Sequence, residues 1–144
     1  MISQTKQKGF TIVELLIVIV IIGILAAISI VAYNGVTQKA RDDRRVTNAR
    51  NLVNAAASYN AENGTWPTVA QVQAYPTVKL TGDAADSAKV TATAPTSGTA
   101  DTYRYVVCST GGVRVQYWRE VAGASAGETV GLNTIDTGNT TTCP

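Results

Sequence analysis

With 144 residues, 45% of them hydrophobic, and a formal net charge of +2, the chain has room for one small domain. Residues 1 to 63 carry seven Lys or Arg against four Asp or Glu, and residues 64 to 144 carry five against six. The second half therefore has no basic footprint for nucleic acid. Histidine is absent, which excludes Ser-His-Asp and Cys-His catalysis and His-ligated metals within this chain.

The first element, residues 1 to 9, is short, polar and basic through Lys6 and Lys8, and it reads as a leader. From Phe10 to Ala32 the only charge is Glu14; at 1.5 Å per residue this run extends about 34 Å, enough to cross a bilayer core. An ordinary secretory signal peptide begins in the same way. The length of the run, the carboxylate near its start and the helical pattern beyond its end argue against that reading.

Beyond Tyr33 the pattern becomes amphipathic, with Val36, Ala40, Val46, Ala49, Leu52 or Val53, Ala56 and Tyr59 at three- to four-residue intervals. Lys39, Arg41, Asp42, Asp43, Arg44 and Arg45 form a polar stretch just after the apolar run. Asn63-Gly64, followed by Pro67, supplies a stop. The spacing predicts one helix from Phe10 to Asn63, its second half offering a stripe for a sheet.

Thr68 and Gln71 have capping-box spacing and predict a short helix through Tyr75. Lys89 to Thr93 alternates weakly, as an edge strand would. Thr102 to Ser109 and Val113 to Val121 are the clearer strands: Tyr103, Tyr105 and Val107 share one face, as do Val113, Val115 and Tyr117, and Gly111-Gly112 marks the turn. Gly82 to Ala88, Ala94 to Ala100 and Ala122 to Gly131 read as loops. Cys108 and Cys143 both lie beyond the apolar run, and on an exported segment an even count predicts a disulfide. The acids Asp83, Asp86, Glu128 and Asp136 are scattered, with no calcium-loop spacing. The sequence thus offers no catalytic residue, no metal site and no cofactor fingerprint.

The stretch Gly9-Phe10-Thr11-Ile12-Val13-Glu14-Leu15-Leu16-Ile17-Val18 closely resembles the processing site and N-terminal segment of class III signal peptides, the hallmark of type IV pilins and pseudopilins. Tyr59 to Thr68 is similar to that family's helix-to-loop junction. The resemblance implies an α+β, pilin-like fold: a long N-terminal helix, transmembrane in its first half, packed in its second half against a small antiparallel sheet. The expected divisions are a leader (1–9), a transmembrane half (10–32), an amphipathic half (33–63) and a β-rich head (64–144).

It further implies cleavage between Gly9 and Phe10 by a prepilin peptidase, which also methylates the new amino terminus on Phe10. The chain is then a substrate and not an enzyme. After processing, Glu14 is expected to pair with the Phe10 ammonium of a neighbouring subunit as it enters the filament. Gly23 and Ala27 have the small-xxx-small spacing of close helix packing. The implied partners are the membrane, the peptidase, other copies and related pilins in a helical filament, and an assembly platform with its ATPase. The location changes from single-pass membrane protein to surface fibre.

Many family members carry a proline where this chain has Val31, so the inherited kink or local melting is not expected on that ground; Gly23 and Gly35 weaken the helix without compelling a break. Three functions compete: a subunit of a type IV pilus serving adhesion, motility or DNA uptake, a pseudopilin of a type II secretion system, and, more remotely, a membrane-tethered binding or enzymatic domain. The cysteine pair resembles the pilin habit of tying down the C-terminal region, whereas major pseudopilins commonly use calcium there.

Overall fold

The computed structural model describes residues 9–76, 80–123 and 127–144; the expected leader, apart from Gly9, lies outside the described residues. The chain divides into two compact units, one ending at Thr37 and one spanning Gln38–Pro144. Helix α1 (Ile12–Asn63) is common to both. In the first unit every residue from Gly9 to Val36 is exposed.

Within the second unit the helix acquires a buried face. Val46, Ala49, Leu52, Val53, Ala55 and Ala56 are buried, while Val36 and Ala40, expected on the same stripe, are exposed. The alanines keep the helix surface low, so the tyrosines of the facing sheet can lie against it. The helix ends at Gly64, which takes a positive φ of 71° and donates its N–H to the Asn60 carbonyl at 2.8 Å.

A short helix α2 (Val69–Ala74) follows, held by the expected capping box: the Thr68 hydroxyl accepts from Gln71 N, and Thr68 N donates to Gln71 Oε1 at 2.8 Å. The junction is tied to α1 by an edge-on contact of Tyr59 and Tyr75 rings, 5.5 Å between centroids, and by Gln71 Nε2 donating to the Tyr59 hydroxyl.

The sheet has four strands in the order β1 (Val90–Thr91), β2 (Tyr103–Cys108), β3 (Gly112–Arg119) and β4 (Gly131–Gly138). It is mixed, not wholly antiparallel. The two-residue edge strand β1 runs parallel to β2, because the chain crosses back through Ala92–Thr102 before pairing Val90 with Tyr103. The β2–β3 hairpin aligns Tyr105 with Val115, and β3 pairs antiparallel with β4, Val115 facing Ile135.

The turn lies one residue earlier than Gly111-Gly112 suggests. It is Ser109 to Gly111, with Gly111 at φ 90°, and Gly112 already belongs to β3. Gly112 is there for a different reason: a Cβ on it would sit 2.6 Å from the Asn139 carbonyl oxygen. Strand β4 has no counterpart in the expected elements.

The core lies between α1 and the sheet. Tyr103, Tyr117, Leu52, Val72, Val113 and Val115 are its largest fully buried apolar side chains. Two tyrosines bring hydroxyls inward, and each finds a partner: Asn48 Nδ2 donates to Tyr103 Oη at 3.1 Å, and Tyr105 Oη donates to the Pro67 carbonyl at 2.9 Å. Burial pushes the Tyr105 hydroxyl pKa well above its usual value.

Candidate functional site

The N-terminal segment begins with Gly9 and Phe10, both exposed and outside the helix. Thr11 is the residue before the first helical turn, and Glu14 is the third residue within it. The Glu14 Oε2 accepts the Thr11 N–H at 2.8 Å and the Thr11 hydroxyl at 2.7 Å, while Glu14 N donates to Thr11 Oγ1 at 3.2 Å. This is a reciprocal capping box, Thr-x-x-Glu, satisfying backbone donors that a helix start otherwise leaves open. It also places a negative charge at the positive end of the helix.

The Thr11 role was missed in the sequence reading, although the same spacing identified Thr68 and Gln71. Within the motif Glu14 is an isolated charge, and Thr11, three residues earlier, gives it a local partner. Only one carboxylate oxygen is used: Oε1 has no hydrogen bond among the described residues.

From Leu15 to Ala32 the helix is apolar on all sides apart from Ser29, with an 18-residue window of mean hydropathy 3.3. Ser29 does not break that surface, because its hydroxyl donates back to the Leu25 carbonyl at 2.7 Å. Gly23 and Ala27 lie one turn apart and exposed, and a Cβ at Gly23 would meet nothing within 4 Å.

In the second unit the polar stretch after the apolar run contains two residues that are not on the surface. Asp42 is fully buried and Arg45 is 2% exposed. The Asp42 carboxylate accepts the backbone N–H groups of Glu120 and Val121 at 2.8 to 3.0 Å, where β3 ends, and the Arg45 guanidinium at 2.9 Å. Arg45 also donates to Asp101 and to Glu120. Arg41 closes the group through Glu120, and the two arginines, Arg41 foremost, hold the Glu120 carboxyl down to about 2. The cluster joins helix to sheet end and leaves each buried charge paired.

Cys108 and Cys143 are bonded, with their Cα atoms 4.6 Å apart. The tail they hold crosses the sheet face opposite α1: Arg114 donates to the Cys143 carbonyl and Arg104 to the Pro144 carbonyl. Ser109 and Thr142 hydroxyls add a bond at 2.7 Å. Among the described residues no group of three or more Cys, Asp or Glu is placed to hold a metal ion.

Residues 4–30 match the Prokaryotic N-terminal methylation motif family. The chain is 42% identical over 65 residues to a fimbrial protein of Neisseria meningitidis, covering 45% of this chain and 38% of that one. It is 42% identical over 64 residues to the type IV major pilin protein PilE1 of Neisseria gonorrhoeae, covering 44% and 39%. It is also 38% identical over 69 residues to the type II secretion system core protein G of Escherichia coli, covering 48% of each. The chain thus spans less than half the length of these relatives, and no solved structure matches it significantly. The N-terminal motif, the similarity to pilins and to a secretion-system core protein, and the long helix carried into a small sheet together make the N-terminal part of this chain similar to type IV pilins and pseudopilins.

Proposed function

We propose that the chain is a structural subunit of a type IV pilus. The observation that carries the proposal is the Gly9-Phe10 junction followed by the Thr11–Glu14 capping box at the head of a helix exposed and apolar on every side. Such a surface is stable only in lipid or among other helices, and the subunit uses each in turn. The peptidase cuts between Gly9 and Phe10 and methylates the Phe10 amine. The helix half up to Ala32 holds the subunit in the membrane until a platform and its ATPase move it into the fibre.

The free Oε1 of Glu14 supports the assembly step. Thr11 can keep its two bonds to Oε2 while the other oxygen meets the Phe10 ammonium of a neighbouring subunit, an attraction that weakly polar surroundings strengthen. Gly23 and Ala27 permit close approach of adjacent helices in the fibre core. The head and its disulfide-bound tail then form the outer surface.

A second reading, a pseudopilin of a type II secretion system, is favoured by the similarity to core protein G. The disulfide that secures the C-terminal tail supports the pilus instead. Shearing fibres from cells and sequencing their main protein by mass spectrometry tests the proposal. The expected subunit begins at Phe10 with one added methyl group. Long surface fibres lacking this chain, with secretion lost on its deletion, would favour the second reading.

A further inference from the structure

Two asparagines of the sequence stand two residues before a threonine with no proline between them, Asn63-Gly64-Thr65 and Asn139-Thr140-Thr141. This is the spacing at which an asparagine carboxamide accepts a sugar. Three-residue matches arise easily by chance, so the local geometry has to separate one from the other.

At the first, the carboxamide belongs to the helix end. Asn63 is the last residue of α1, and its Nδ2 donates to the Tyr59 carbonyl at 3.0 Å. Gly64 then turns the chain at φ 71°, and Thr65 makes no hydrogen bond to Asn63 among the described residues. The nitrogen that would carry a sugar is occupied, and the threonine is not engaged with it.

At the second the roles are reversed. Thr141 donates to Asn139 Oδ1 twice, from its backbone N–H at 3.2 Å and from its hydroxyl at 2.7 Å. The turn so formed uses only the acceptor end of the carboxamide, and Nδ2 has no partner among the described residues. Asn139 and Thr141 are both exposed. The backbone beneath them is fixed: Asn139 N donates to the Gly111 carbonyl at 3.0 Å, its carbonyl accepts the Thr110 hydroxyl at 2.9 Å, and the Thr140 hydroxyl is taken up by Asp136. The disulfide at Cys143 closes the segment from the other side. A free amide nitrogen is thus held at one place on the surface of the second unit.

We propose that Asn139 is a site of N-linked glycosylation, taking its sugar from a donor activated as a diphosphate. Asn139 Nδ2 attacks the anomeric carbon of the sugar. A C–N bond forms there as the bond from that carbon to the diphosphate oxygen breaks, the electron pair leaves with the diphosphate, and one Nδ2 proton passes to a base of the transferase. The chemistry at Asn139 is the same whether a polyprenyl lipid or a nucleotide carries the diphosphate.

The test is peptide mapping of the full chain, purified from the cells that make it, with electron-transfer fragmentation that keeps a sugar on its residue. Carbohydrate is expected on Asn139, with Asn63 bare. Thr141→Val is expected to abolish the modification, while Thr141→Ser and Thr140→Val retain it, the Cys108–Cys143 bond being followed in each to show that the fold persists. The wild-type peptide decides the matter if a variant fails to accumulate. Sugar confined to disulfide-bonded chains identifies a lipid-carried donor in an oxidising compartment, and sugar on reduced chains as well identifies a nucleotide donor; both support the site. A bare Asn139, sugar on the neighbouring threonines alone, sugar on Asn63 in place of Asn139, or full modification of Thr141→Val would each overturn the proposal. None of these results touches the filament reading, and absence of the chain from fibres would leave the site standing.

Discussion

From Gly9 to Val36 no side chain of α1 is covered, whereas a few turns later Ala49, Leu52, Ala55 and Ala56 are fully buried. The backbone is the same helix in both places. The first region meets the polar demands of Glu14 through Thr11 and of Ser29 through the turn beneath it, and leaves its apolar surface to be covered by something else. The second closes its own account, pairing even buried Asp42 and Arg45. Side-chain environment, and not secondary structure, separates a part that needs partners from one that folds around itself.

That contrast predicts damage of different kinds. The largest effect is expected from Glu14→Leu: insertion and cleavage should persist, mature subunits should accumulate in the membrane, and fibre yield should fall by about tenfold or more. Comparing membrane-bound and sheared pools by immunoblot checks this, and normal fibre yield would remove Glu14 from assembly. In the second unit, Arg45→Met strands the fully buried Asp42 without its guanidinium. Unfolding in denaturant should show a loss of about 3–5 kcal/mol, with membrane insertion unchanged.

Cys108→Ser should cost the head about 2–4 kcal/mol, read as faster proteolysis of residues 64–144 under conditions where the apolar helix is unaffected. Acid sharpens the same division. Glu120 has a folded pKa of about 2 against an ordinary 4.5, so its contribution is complete above about pH 4.5 and is lost as pH falls toward 2. A pH series of head stability should show that decline, and Glu120→Gln should flatten it. The smallest effect is expected from Thr68→Ala, about 1 kcal/mol, seen as faster amide exchange confined to α2.

The features legible in the sequence were those written in a regular period. The helix, its stop at Asn63-Gly64, the α2 cap and the β2–β3 hairpin all follow from spacing of apolar or capping residues. Strand β4 was hidden because its pattern conflicts with its burial. Leu132 is exposed, while Asn133 is buried on the helix-facing side, where its amide bonds the Thr129 backbone and the Gly131 carbonyl. A polar residue satisfied by its own turn reads as loop. Asp42 and Arg45 were hidden in the same way, as charges among charges, because burial of an ion pair depends on what the distant end of β3 supplies. Of the candidate site, Gly9, Phe10 and Glu14 stand in the motif as expected roles, and the Thr11–Glu14 spacing is as regular as that of Thr68 and Gln71.

The bonded tail has a consequence in time. Cys108 lies on β2 and Cys143 almost at the end of the chain, with β3 and β4 between them, so oxidation can seal the head only after those strands have been made. In a reducing compartment the tail is held by the grips of Arg104 and Arg114 and a few hydroxyl contacts alone, and a thiol pair persists. The head is thus completed by the redox chemistry of its surroundings: the bond that fixes its last residues is made late, by an oxidant, and marks a chain that has met an oxidising compartment.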